Sequence, residues 1–97
     1  MIKVKYSNKF IKISGHADFN DYGKDIVCAS ASSIVYTTIN GILNININAI
    51  KYTDEKELVI EILSNDEITN KLIGSMLDLL KELEAQYPKN IKISKGE

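Results

Sequence analysis

Ninety-seven residues, 44% of them hydrophobic and 26% charged with a single proline, are enough for one globular domain, which excludes both a two-domain architecture and a disordered chain. No run approaches the 18 or so consecutive apolar residues of a bilayer span, and the alternating start Met1-Ile2-Lys3-Val4-Lys5 is unlike a signal peptide, so a cytoplasmic location without membrane contact is expected. Twelve basic residues, all lysine, stand against thirteen acidic ones for a net charge of −1; lacking arginine's bidentate fork and any basic block, the chain is not expected to bind nucleic acid directly.

Ile2, Val4 and Tyr6 alternate with Lys3 and Lys5, Ser7-Asn8-Lys9 makes a turn, and Ile11 and Ile13 resume the alternation, so residues 1–14 are predicted to form a β-hairpin that Gly15 ends. From His16 to Lys24 there is no period, and Asp18, Asn20, Asp21 and Gly23 mark a loop. Asp25 then stands directly before the stripe Val27, Ala31, Ile34/Val35, Thr38, Ile42, which predicts a helix over 26–43 with Asp25 as its N-cap. The β-branched run from Ile34 to Ile39 would pass for a strand if taken alone; the length of the stripe favours helix.

Ile45 and Ile47 alternate with asparagines, the run continues to Tyr52, Thr53-Asp54-Glu55-Lys56 is polar, and Leu58, Ile60 and Ile62 alternate again. Residues 45–63 are therefore predicted to form a second hairpin. Ser64-Asn65-Asp66-Glu67 has the spacing of a capping box, opening a helix with Ile68, Leu72, Met76, Leu79, Leu80 and Leu83 on one face, which Pro88 stops just after Tyr87. Ile91 and Ile93 suggest a last strand. The expected fold is α+β and two-layered, with two helices on one face of a mostly antiparallel sheet of about five strands, in the order β-β-α-β-β-α-β, with 1–97 forming a single domain.

The lone cysteine, Cys28, and the lone histidine, His16, are the residues most able to carry chemistry. Cys28 is predicted in the first turn of the first helix, where unsatisfied N–H groups and the dipole's positive end favour a thiolate, and an imidazolium from His16 would add to that. Such settings lower a thiol pKa from about 8.5 to roughly 3.5–7.5, and the same N–H groups would serve as an oxyanion hole. From position alone, a cysteine beside alanines in a buried helix is more often packing than nucleophile, by about three to one. Asp18-x-Asn20-x-Tyr22-Gly23 fails as a calcium loop, because Tyr22 replaces an oxygen ligand and Ala29 stands where the bidentate glutamate belongs. No metal or cofactor is expected, and Gly15 and Gly23 are read as hinges of the loop between them.

The conjunction Gly15-His16-Ala17, a short loop, and then Gly23-Lys24-Asp25-Ile26-Val27-Cys28-Ala29 with Ser32 four residues past the cysteine resembles the ribosomal-processing cysteine proteases of Gram-positive and related bacteria. The likeness extends over the whole chain in length and element order, with its specific part at residues 15–32. It implies a cysteine endopeptidase that removes the short N-terminal extension of a large-subunit ribosomal protein, cutting after paired aromatics. His16 and Cys28 would be the catalytic pair, Asp25 and Ser32 would support them, and the enzyme would act as a homodimer. Ser30 and Ala31 depart from the family's commoner alanine and valine. The alternatives are a non-enzymatic ribosome-associated binding module and a redox-sensing thiol protein.

Overall fold

In a computed structural model of the chain, residues 1–15 and 22–96 are described, with side chains in the first helix from Ile26 onward. The elements are β1 (Ile2–Tyr6), β2 (Phe10–Ser14), α1 (Tyr22–Ile45), β3 (Ile50–Asp54), β4 (Leu58–Ile62), α2 (Glu67–Gln86) and β5 (Ile91–Lys95), the predicted order. The sheet runs β3-β4-β2-β1-β5. Its pairings are antiparallel except β1 with β5, which run parallel.

This order explains why both helices share one face. The directions of the pairings make β2 parallel to β3 and β4 parallel to β5, so α1 and α2 are both crossover connections. The first crossover moves toward one edge from β2, and the second moves toward the other edge from β4, which points the opposite way. Crossovers of one common hand then place both helices on the same side, where they pack against each other. Period-two alternation turns Ile2, Val4, Ile11, Leu58, Ile60 and Ile91 toward them, all buried. Lys3, Lys5, Lys12, Lys51 and Lys92 occupy the alternate positions and are exposed.

Several boundaries differ from expectation. α1 begins at Tyr22 instead of Ile26, so Asp25 lies within its first turn and is not the N-cap, and Lys24 and Gly23 are helical and not loop. Aspartate suits an N-terminal turn as well as a cap because the dipole favours it throughout that turn, so its presence alone cannot fix the start. The rest of the expected loop, 16–21, lies outside the described residues, as does the Asp25 side chain. The β-branched run is helical, with Thr38 Oγ1 donating to the Ile34 carbonyl at 2.9 Å. Val27, Ala31, Val35, Ile39 and Ile42 are its buried stripe, so Ile39 takes the place expected of Thr38.

The isoleucine–asparagine alternation at 44–48 is not a strand. α1 runs on to Ile45, Asn46 N–H donates to the Ile42 carbonyl at 2.8 Å, and Asn46 accepts from Ala49 N–H at its carbonyl (3.1 Å) and from Asn48 N–H at its side chain (3.0 Å). Asparagine's capacity to bond nearby backbone competes with the ladder, and β3 starts at Ile50, leaving Ile45 and Ile47 exposed. The α2 cap is likewise displaced: Asp66 is the N-cap, accepting from Thr69 N–H at 2.7 Å, while Ser64 Oγ donates to Asp66 at 2.6 Å and Glu67 pairs with Lys71 instead of reaching back. With the start fixed there, the buried face is Thr69, Ile73, Met76, Leu80 and Leu83, and Ile68 and Leu79 are exposed. Tyr87 ends the helix before Pro88, its N–H donating to the Leu83 carbonyl.

The stretch Ile26–Ile45, contrary to the composition-based reading, is by length and composition apolar enough to cross a membrane. It contains no charged residue, although serine, threonine and asparagine interrupt it. Its buried stripe packs against α2 and the sheet, which is the role of a core helix.

Candidate active site

Cys28 is half-buried and free. Starting from Tyr22, it sits in the second helical turn, not the first, where backbone N–H groups are taken up by carbonyls four residues back. An oxyanion hole formed by this turn's own amides is therefore not available as the sequence suggested. The amides of α1 that have no intrahelical carbonyl four residues back are those of its first turn, from Tyr22 onward.

Helical spacing puts Ser32 one turn beyond Cys28 and Tyr36 one turn further, on a single face. All three line a cavity of about 160 Å³. Its floor is apolar, with Ile2 and Val4 from β1, Ile13 from β2, Leu58 from β4 and Leu80 from α2. Its rim is polar: Ser14 and Gly15 leave β2 on one side, and Asp54 at the end of β3 with Glu55, Lys56 and Glu57 of the β3–β4 turn stand on another. A cavity near 150 Å³ with apolar walls accepts a benzene ring, so this one is sized for an aromatic side chain.

Gly15 takes φ +87°, the left-handed region, and a Cβ there would run into the Met1 carbonyl. Only glycine lets the chain leave β2 so close to the first residue. The chain then enters the segment containing His16, which lies outside the described residues. The structure thus brings Cys28, Ser32 and Gly15 to one cavity; it places Gly23 in the first turn of α1, where helical geometry replaces the expected hinge.

Two residues here escaped the sequence reading. Tyr36 donates its phenolic proton to Asp54 Oδ2, and its ring meets Tyr52 edge-on, with centroids 6.4 Å apart at 81°. The hydrogen bond to Asp54, helped by partial desolvation and the nearby carboxylate charge, pushes the Tyr36 pKa up to about 12. Tyr36 was findable from the i, i+4, i+8 spacing of 28, 32 and 36. Asp54 was not, because it was assigned to a turn, whereas β3 carries it to the strand's end. Among the described residues no cluster of histidine, cysteine or carboxylate side chains is arranged to hold a metal.

Comparison with known proteins places the chain in a family. A ribosomal processing cysteine protease Prp from Staphylococcus aureus (strain NCTC 8325 / PS 47) is 30% identical over 86 residues, spanning 84% of this chain and 81% of that protein. One from Mycoplasma genitalium is 29% identical over 97 residues, spanning 97% and 95%. The fold matches the S. aureus ribosomal processing protease Prp solved with a substrate peptide (TM-score 0.85, 22% identity, 98% of this chain and 97% of that one) and with a covalently linked product peptide (TM-score 0.82, 23% identity, 98% and 97%). The family model described as cysteine protease Prp matches residues 1–92, and the chain belongs to that family of ribosomal processing cysteine proteases.

Proposed function

We propose that this protease removes the short N-terminal extension of a bacterial large-subunit ribosomal protein, cutting after a pair of aromatic residues, with Cys28 as nucleophile and His16 as its proton partner. The observation that carries the reading is the cavity itself: the chain's one cysteine opens onto an apolar chamber sized for an aromatic ring. The S. aureus relative, solved with substrate and covalently linked product peptides, supports covalent catalysis on a peptide.

The steps follow from thiol chemistry. The Cys28 thiolate attacks the scissile carbonyl and forms a tetrahedral oxyanion. Collapse expels the amine, which takes a proton from the His16 imidazolium, leaving a thioester. Neutral His16 then draws a proton from water, the hydroxide attacks the thioester, and the released thiolate and imidazolium restore the starting pair. Ser32 Oγ, one turn from the thiol, is a hydrogen-bond donor to the reacting sulfur or carbonyl oxygen. Asp25, in the first helical turn, is given the part of orienting the pair. An extended substrate presents alternate side chains to opposite sides, so one aromatic enters the cavity while its neighbour packs outside. The enzyme acts in the cytoplasm as a homodimer, without a cofactor and without direct nucleic-acid binding.

The test is mass-spectrometric: a peptide copying the first dozen residues of the organism's own ribosomal protein is incubated with the chain. Cleavage after the aromatic pair, abolished in Cys28→Ala and in His16→Ala, is expected. An intact peptide with wild-type protein, or cleavage surviving Cys28→Ala, overturns the proposal. The size of the complex in analytical ultracentrifugation tests the dimer.

A further inference from the structure

Beyond the cysteine, the least explained feature of the cavity is its far wall. Tyr36 is two turns from Cys28 on the same face of α1, and Asp54 is the last residue of β3, at the mouth of the turn that supplies the polar rim. Their hydrogen bond ties the helix to the β3–β4 hairpin across the cavity. Tyr52, also on β3, braces the ring from its edge.

Nothing in the core requires this tie. Val35 and Ile39 already anchor α1 next to Tyr36, both buried, whereas Tyr36 is only half-buried and Asp54 is exposed. A phenylalanine would pack the same ring surface without needing a carboxylate. What the hydroxyl adds is position: with its proton given to Asp54 and Tyr52 against its ring, Tyr36 is held in place, and the hairpin that forms the rim is held at one distance. A fixed flat wall discriminates between shapes that a mobile one would accept equally, because an aromatic guest needs the offset or edge-on geometry a shifting ring would not keep.

We infer that Tyr36, fixed by Asp54, is the specificity-determining wall of the cavity beside Cys28, selecting a flat aromatic side chain over a branched aliphatic one. This rests on the reading of the cavity as the subsite for the residue before the cut. The phenol keeps its proton for this bond, since its pKa is raised to about 12.

The experiment separates binding from cutting. Two fluorescein-labelled peptides, identical except for Phe or Leu at the residue before the scissile bond, are titrated by anisotropy against the Cys28→Ala chain. The same peptides are run as substrates of the active chain. Pairing of an aromatic guest with a ring held in a fixed geometry corresponds to about a two- to tenfold change in affinity. Tyr36→Phe and Asp54→Ala are each expected to shrink the Phe-over-Leu preference by about that factor, acting on KM while kcat stays within about twofold. Asp54→Asn keeps an oxygen that accepts from the phenol and retains most of the preference.

A Tyr36→Phe chain with lower thermal stability and an intact preference would make the tie merely structural and overturn the inference. So would loss of preference in Asp54→Asn equal to that in Asp54→Ala, or a Cys28→Ala chain that binds both peptides equally. If the Cys28→Ala chain prefers the Phe peptide and Tyr36→Phe removes that preference, while the active chain cuts neither, the cleavage reading fails and the Tyr36 assignment stands.

Discussion

The two helices lie side by side on one sheet but use their surfaces differently. α2 carries six charged residues between Glu67 and Glu84, opens on a side-chain cap and buries a single stripe. α1 from Ile26 to Ile45 carries none. Its stripe Val27, Ala31, Val35, Ile39 and Ile42 goes to the core, while the adjoining line Cys28, Ser32, Tyr36 faces the cavity. Its remaining face, with Ala29, Ser33, Thr37, Asn40 and Asn44, is exposed and carries small uncharged side chains. Its indistinct periodicity comes from the cavity line lying beside the core stripe, and its membrane-like composition also from the uncharged residues on its exposed face.

The largest effect that sharpens this contrast is chemical. Cys28→Ser is expected to lower kcat/KM by at least about 10³-fold, the scale seen when a protease nucleophile is removed, with little change in thermal melting because the substitution is near-isosteric at a half-buried position. Leu80→Ala, on the α2 side of the same cavity, should do the reverse. Leu80 is fully buried, so its truncation costs about 2–5 kcal/mol, read in urea unfolding. The peptide KM rises as well, since Leu80 also forms the cavity floor. Equal stability losses in the two variants would erase the distinction between the site line and the core stripe.

How much of this was legible in the sequence follows from the same contrast. Every strand with strict alternation was readable, because a half-buried sheet leaves a period of two. The isoleucine–asparagine alternation at 44–48 misled because alternation records side-chain chemistry and not backbone bonding, and asparagine spent its hydrogen bonds locally. Ser64 misled for a related reason: both Ser64 and Asp66 are capping residues, and which one caps depends on where the first helical amide points. At the site, Cys28 and Ser32 were legible from the motif around them, while the Tyr36–Asp54 tie joins residues 18 apart and depends on where β3 ends. The identity of Gly15 was legible, but its reason was not, since the Met1 carbonyl that crowds it comes from the far end of the hairpin.

That crowding gives the next prediction. Gly15→Ala must hold an unfavourable left-handed φ and displace the Met1 carbonyl, at a cost of about 1–3 kcal/mol. The loss should appear in the chevron's unfolding arm and, because Gly15 lines the cavity, as a raised KM. Gly74→Ala on α2 is the control. An added methyl there meets nothing, and better helix propensity stabilises by about 1 kcal/mol. A destabilised Gly74→Ala would show that α2 is more tightly constrained than its single stripe implies.

The smallest effects lie in pH dependence, where the helices should part in opposite directions. On α2 the Asp66 pKa is lowered, chiefly by the Ser64 hydroxyl and then by the Thr69 backbone N–H. A carboxyl that holds its proton less tightly when folded adds stability above its unfolded pKa, and that stability is lost as pH falls through the folded value. On α1 the Tyr36 pKa is raised to about 12, chiefly by donation to Asp54. A phenol that holds its proton more tightly when folded adds stability below its ordinary value near 10, and that is lost as pH rises through about 12. Both groups are partly exposed to solvent, so the slopes are shallow. Asp66→Asn, which keeps a good cap, should flatten the acid arm of a stability profile measured by urea unfolding and leave the alkaline arm unchanged. Tyr36→Phe should flatten only the alkaline arm. If one substitution moved both arms, the two helices would be titrating through a shared network, and the division between a capped structural helix and a helix tied to its site would not hold.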